Sequence, residues 1–126
     1  AIKLAKKKIK KAGMQIPVFT DDATQMKQVT STFDLALDLG CFHGIENKAG
    51  YLKQLTRVLA PHGFWLIYGF FKSAADPSGP GLVDSDLSLI EHHGLTLLSR
   101  TDGFDKRERS SAWFLWQMSP ELTSNK

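Results

Sequence analysis

Apolar and polar positions along the chain follow two different periods. In AIKLAKKKIKKAG, Ile2, Ala5, Ile9 and Ala12 recur at spacings of three and four, with Leu4 beside them and lysines elsewhere. That is the period of a helix with one narrow apolar stripe. Lysines in its last turn suit the negative end of the helix dipole, and Gly13 is a natural stop. MQIPVFT reads as a short strand, with Pro17, which lacks an amide donor, at an end, an edge or a bulge. DDATQM reads as a turn with a short helical piece. FDLALDL is nearly continuous in apolar residues (Leu35, Ala36, Leu37, Leu39), as a parallel strand covered on both faces requires. GCFHGI is a loop. NKAGYLKQLTRVLA is a helix with Tyr51, Leu52, Leu55, Val58 and Leu59 on one side, Asn47 as its cap, and a PHG turn at its end. FWLIYGF is wholly apolar and is expected to be central and buried on both faces.

KSAADPSGPGLV is rich in Pro, Gly and Ser and reads as a surface loop. DSDLSLIEHHG predicts a helix capped by Asp84 or Ser85 and stopped by Gly94. LTLLSRT and SAWFLWQM are strands joined by the polar DGFDKRER, so they pair antiparallel. The tail is PELTSNK. Helices alternating with apolar strands define an α/β class with a mostly parallel sheet and an antiparallel terminal strand. The 126 residues suffice for one core, and no internal repeat or second domain is apparent.

Charge changes the picture less than the total suggests. The net charge is +3, but six of the sixteen basic residues are Lys3, Lys6, Lys7, Lys8, Lys10 and Lys11. Basicity is therefore local, the solvated face of one helix, and no nucleic-acid partner is expected. No apolar run is long enough to span a bilayer, so no membrane partner is expected either. No signal-peptide pattern opens the chain, and the single Cys41 fits a reducing, cytoplasmic setting.

LDLGCFHG, residues 37–44, invites comparison with LDLGCGTG, the glycine loop of S-adenosylmethionine enzymes. Phe42 and His43 fill slots where such a loop needs small residues. The strand that follows, FWLIYGFF, also lacks the terminal acid that holds ribose. LDLGCFHG is thus read as the end of a later strand. Taken whole, the chain resembles the later part of a class I S-adenosylmethionine-dependent methyltransferase. KKAGMQIPVFTDDAT matches the family's helix ending in Ala-Gly, strand and Gly-Asp-Ala, with Asp21 where glycine is common. FDLALDLGCFHGI matches its Phe-Asp-Leu-Val strand. RVLAPHGFWLIYGF matches Val-Leu-x-Pro-Gly-Gly and the next strand, with His62 replacing the first glycine. SSAWFLWQ is similar to its aromatic closing strand.

The resemblance implies a truncated, Rossmann-like class I methyltransferase fold, with residues 1–126 as a single partial domain. The family's first strand, glycine loop and ribose acid have no counterpart here. Either the chain is a fragment, which the start at Ala1 favours, or it is a natural remnant. The implied cofactor is S-adenosylmethionine, bound weakly or not at all by this chain alone. Asp22 and Ala23 match the adenine contact; the other reading of Asp22 is a turn carboxylate. Leu39, Gly40 and Cys41 follow the strand where the resemblance places the sulfonium.

Cys41 reads as a small buried residue rather than a nucleophile. His43 is the candidate catalytic base; its other reading is a loop histidine bonded to backbone. Phe42, Phe70 and Phe104, with Phe71, are candidate substrate-side walls; core packing is the alternative. Neither Cys41-x-His43 nor His92-His93 has a metal-site spacing, so no metal is expected.

Two functions compete. One is methyl transfer to a small-molecule acceptor that the sequence leaves unidentified. The other is a non-catalytic, vestigial methyltransferase-like module for interaction or dimerisation. Without the missing strands FDLALDL becomes an exposed sheet edge, through which a homodimer is expected.

Overall fold

The structure, a computed structural model, describes residues 2–14 and 21–120. Its elements are helix α1 (Ile2–Lys11), strand β1 (Phe33–Leu39), a 3-10 turn (Phe42–Gly44), helix α2 (Lys48–Val58), strand β2 (Leu59–Phe70), helix α3 (Asp84–His92) and strands β3 (Leu95–Phe104) and β4 (Ser110–Met118). Most of MQIPVFT lies outside the described residues.

The four strands form one sheet in the order β1-β2-β4-β3. β1 and β2 are parallel, and β4 runs antiparallel to both β2 and β3. Three strands therefore share one direction, and the last of the described strands is inserted between them against it. This is the expected α/β class, and FWLIYGF is central in it as expected.

Cross-strand partners point to the same face. On one face Trp65 lies beside Trp116 and Ile67 beside Phe114, all buried under side chains of α2 and α3. Tyr51, Leu52 and Leu55 come from α2 and Ile90 from α3. The opposite face carries Leu35, Leu37 and Leu39 beside Phe64, Leu66 and Tyr68. The three leucines are 58%, 59% and 64% exposed. Burial of both faces, expected for FDLALDL and FWLIYGF, is thus corrected. Among the described residues only the helix face is closed, because α2 and α3 pack on the same side. Trp113 and Trp116 divide likewise: strand alternation buries Trp116 and leaves Trp113 41% exposed.

Local chemistry explains the boundaries. Asn47 Oδ1 accepts from the Gly50 amide at 3.0 Å and caps α2. α3 begins with Asp84 already helical. Asp86 Oδ2 reaches back to the Val83 amide at 2.9 Å, so neither Asp84 nor Ser85 is the cap. PHG is an irregularity at the start of β2 rather than a separate turn, lying where the β1–β2 register shifts between Phe33 and Leu35. Asp105 turns the β3–β4 hairpin by accepting from the Arg107 and Arg109 amides, each at 2.9 Å. Ala23 and Met26 pack against the core, and Arg57 of α2 ties their segment down by donating to the Val29 and Met26 carbonyls, each at 2.9 Å.

Candidate functional site

Parallel strands β1 and β2 end at the same edge, and open α/β sheets receive ligands outside such carboxyl ends. The chain leaves β1 through Gly40 at φ 86°, a conformation that disfavours any side chain. The Gly40 amide donates to the Tyr68 carbonyl at 3.0 Å. Asp38, only 4% exposed, then turns the loop. Its carboxylate accepts from the Cys41 amide at 2.7 Å, from the Phe42 amide at 3.1 Å, and from the Tyr51 hydroxyl. Burial, and then the Asp38 charge, push the Tyr51 phenol far up, so it remains a donor.

This turn sends neighbouring side chains in different directions. Phe42 is fully buried, edge-on to Tyr51 and to Trp65 at 5.4 Å each. Its expected substrate-side role is corrected: the Asp38 turn aims its ring into the core. Cys41 is exposed, not buried as expected. Partial burial and the Asp38 charge push its thiol up, so it stays protonated and is a poor nucleophile. His43 is half-buried against Phe70, with ring centroids 4.1 Å apart. Its Nδ1 accepts from the Phe70 amide at 3.3 Å. Burial lowers its pKa, with Arg109 and Lys48 acting the same way and Asp38 opposing them.

Beside this edge, Phe70, Phe71, Lys72 and Arg109 line a cavity of about 470 Å³. The Arg109 guanidinium lies 3.8 Å from the Phe70 ring centroid and is held by Asp105, Nε to Oδ2 at 2.6 Å. Phe104 is 76% exposed and lines a separate cavity of about 500 Å³ with Tyr68 and Arg109. A third opening, about 330 Å³, lies between His43, Lys48, Lys72 and Gly81.

The structure thus brings Leu39, Gly40, Cys41, His43 and Phe70 together, with Phe104 nearby through Arg109. Asp22 is engaged locally. Its Oδ1 accepts from Thr24 Oγ1 at 2.7 Å and from the Thr24 amide at 2.8 Å, and these bonds hold its carboxyl below the usual range. No hydrogen bond among the described residues links Asp22 or Ala23 to the 39–43 loop. Sequence reasoning missed Asp38, Tyr51 and Arg109. A lone acid within LALDLG was a usable signal for Asp38. Arg109 carried none, because only the hairpin brings it to Phe70.

The model of a family described as a methyltransferase domain matches residues 1–63, half of the chain. The chain belongs to the methyltransferase-domain family. No curated protein matches it significantly. Among solved structures it is similar to a methyltransferase from Methanosarcina mazei described as SAM-dependent, at TM-score 0.78 and 13% identity, covering 96% of this chain and 78% of that one. It is equally similar in fold to the 4+2 cyclase SpnF, at TM-score 0.78 and 12% identity, covering 94% and 62%. A third is the 1,6-didemethyltoxoflavin-N1-methyltransferase of Burkholderia thailandensis, with TM-score 0.74, 16% identity and coverage of 91% and 56%. This methyltransferase-family chain therefore spans about three-fifths of the length of several structures it matches. At such identities the likeness shows the fold. That a cyclase shares it is a reminder that chemistry resides in the site. Among the described residues, no helix is long and apolar enough to cross a membrane.

Proposed function

We propose that residues 1–126 form one partial domain that serves S-adenosylmethionine-dependent methyl transfer to a small-molecule acceptor. The observation that carries this reading is the family match over residues 1–63. It includes the strand whose carboxyl end holds Leu39–His43 against Phe70. The loop does not suit a phosphate, because the amides of Gly40, Cys41 and Phe42 are all engaged within the protein. What it presents to a ligand is the bare Cα of Gly40, which lets a sulfonium approach closely. Leu39, Gly40 and Cys41 hold that end. Ala23 and Asp22 are assigned to adenine; both Thr24 bonds fall on Asp22 Oδ1, and Oδ2 is the atom for the adenine amino group. When bound, the cofactor supplies an electrophilic methyl group. The chain's own part is to orient the acceptor beside Phe70.

The test is an amide NMR titration of the chain with S-adenosylhomocysteine. We expect weak binding, with dissociation in the millimolar range, and shifts confined to Asp22, Ala23 and Leu39–Cys41. Shifts elsewhere, or none at millimolar ligand, would remove the assignment. Tight one-to-one binding would contradict the weakness.

A second reading, an interaction module, rests on a different observation. Among the described residues β1 is an edge strand whose leucines meet solvent. We propose that a second copy of the chain pairs with this edge.

A further inference from the structure

We propose that His43 is a fixed hydrogen-bond donor, presenting Nε2–H to an acceptor carboxylate, and not the base that removes a proton. The orientation role rests on the methyl-transfer reading above; the fixed tautomer does not.

The first support is the Phe70 amide. It sits at the last position of β2 and donates to His43 Nδ1 at 3.3 Å. A half-buried backbone donor needs an acceptor, and Nδ1 is the one it has here. A neutral imidazole carries a single proton, so with Nδ1 accepting, the proton is on Nε2. For Nε2 to act as a base, the proton would have to move to Nδ1, where two N–H groups would face each other.

The second support is the seat of the ring. A Cβ added at Gly69 would lie 3.0 Å from His43 Nδ1 and 3.5 Å from its Cβ. One added at Gly40 would lie 3.5 Å from Cε1 and 3.8 Å from Nε2. Gly69 thus leaves room for the imidazole where a Cβ would crowd it, and Gly40 lies within van der Waals reach on another side. Phe70 closes another side at 4.1 Å between ring centroids.

Burial favours the neutral ring, and the charges around it suggest what it meets. Burial lowers the His43 pKa; Arg109 from the hairpin and Lys48 from α2 act with it, and Asp38 from β1 against it. His43 lines the opening of about 330 Å³, where Lys48 and Lys72 face one acid, Glu46. Lys48 Nζ donates to the Ile45 carbonyl at 2.8 Å, which leaves two of its three protons. A neutral N–H donor on a ring that lines the same opening as two lysines matches an anionic oxygen.

The test is nitrogen-15 NMR of the four histidines in the full chain, across pH 6 to 8. We expect the neutral form of His43 to carry its proton on Nε2 and to have a bare Nδ1, with a pKa below the ordinary histidine value. Gly69→Ala should displace the ring, mix the two tautomers and speed exchange of the Phe70 amide. Should that variant fail to fold, His43→Gln also removes the acceptor at Nδ1 and should speed the same exchange. Titration with benzoate as the carboxylate probe should shift His43 Nε2, leaving His62, His92 and His93 unmoved. A protonated Nδ1, or an imidazolium at pH 7, would overturn the tautomer. Benzoate shifts absent at His43, or equal at all four histidines, would overturn the carboxylate role. Failure to bind S-adenosylhomocysteine touches only the methyl-transfer reading and leaves the tautomer standing.

Discussion

On one face of the sheet Trp65, Ile67, Phe114 and Trp116 lie beneath α2 and α3, each 1% exposed or less. On the other, Leu35, Leu37 and Leu39 are more than half exposed, and Phe64 and Trp113 are about two-fifths exposed. Both sets are large and apolar, so composition does not distinguish them. The difference lies in what covers them. A strand sequence records the demand for cover on both faces; the packing of the rest of the chain decides which demand is met. The two faces also differ in polar chemistry. Asp38, on the covered face, is buried and turns the site loop. On the other face Tyr68 donates to Ser111 Oγ at 3.0 Å near the strand ends.

The sharpest way to break this comparison is to truncate one large side chain on each face. Trp65→Ala removes a fully buried indole that touches Phe42 and Tyr51. It should cost about 3–5 kcal/mol. Leu37→Ala removes a side chain that is already mostly in water, and should cost less than about 1 kcal/mol. Urea unfolding of the two variants measures both. Equal losses would mean that the leucine face is covered in solution.

How much of this was legible depends on the range of the interaction concerned. The Asn47 cap, the Gly13 and Gly94 stops and the antiparallel β3–β4 pair were readable, because each is set by residues close in the chain. The β2 position was readable too, since a wholly apolar run has few other places to go. Coverage of one face was not, because it depends on α2 and α3 choosing the same side. Within the site, the Leu39–His43 loop was legible from its place after a strand. The directions of Phe42 and Cys41 were not. They follow from Asp38 drawing two consecutive amides inward, a contact closed by Tyr51 from thirteen residues away. Arg109 reaches Phe70 only through the hairpin.

A second experiment asks whether a second copy covers the leucine face. If β1 pairs with its counterpart, the chain should be dimeric at micromolar concentration by sedimentation equilibrium. Burying apolar surface contributes about 25 cal/mol per Å², so even part of this face offsets a share of the association entropy. Leu37→Lys places a charge at the middle of the edge strand. It should weaken association at least about tenfold, the equivalent of ~1.4 kcal/mol, and leave the unfolding midpoint of the monomer almost unchanged. A clean wild-type monomer would mean that the edge is sealed from within the chain.

The smallest effect concerns two tryptophans that differ by face. Trp116 is completely buried, and among the described residues its Nε1–H has no acceptor. Trp113 projects from the same strand to the other side, where solvent reaches it. Replacing Trp116 with Phe removes apolar contact and leaves a void, which destabilises. It also removes a buried donor that gave up its water without gaining a partner, which stabilises by about 1–3 kcal/mol. The two effects oppose each other, so Trp116→Phe should lose only about 1 kcal/mol, far less than its volume change alone implies. Trp113→Phe has no buried donor to relieve and little packing to lose, and should stay within about 0.5 kcal/mol of the parent. Urea midpoints again decide. A loss near 3 kcal/mol for Trp116→Phe would show that its N–H is satisfied in solution, for instance by a buried water. The covered face would then be wetter than its apolar lining suggests.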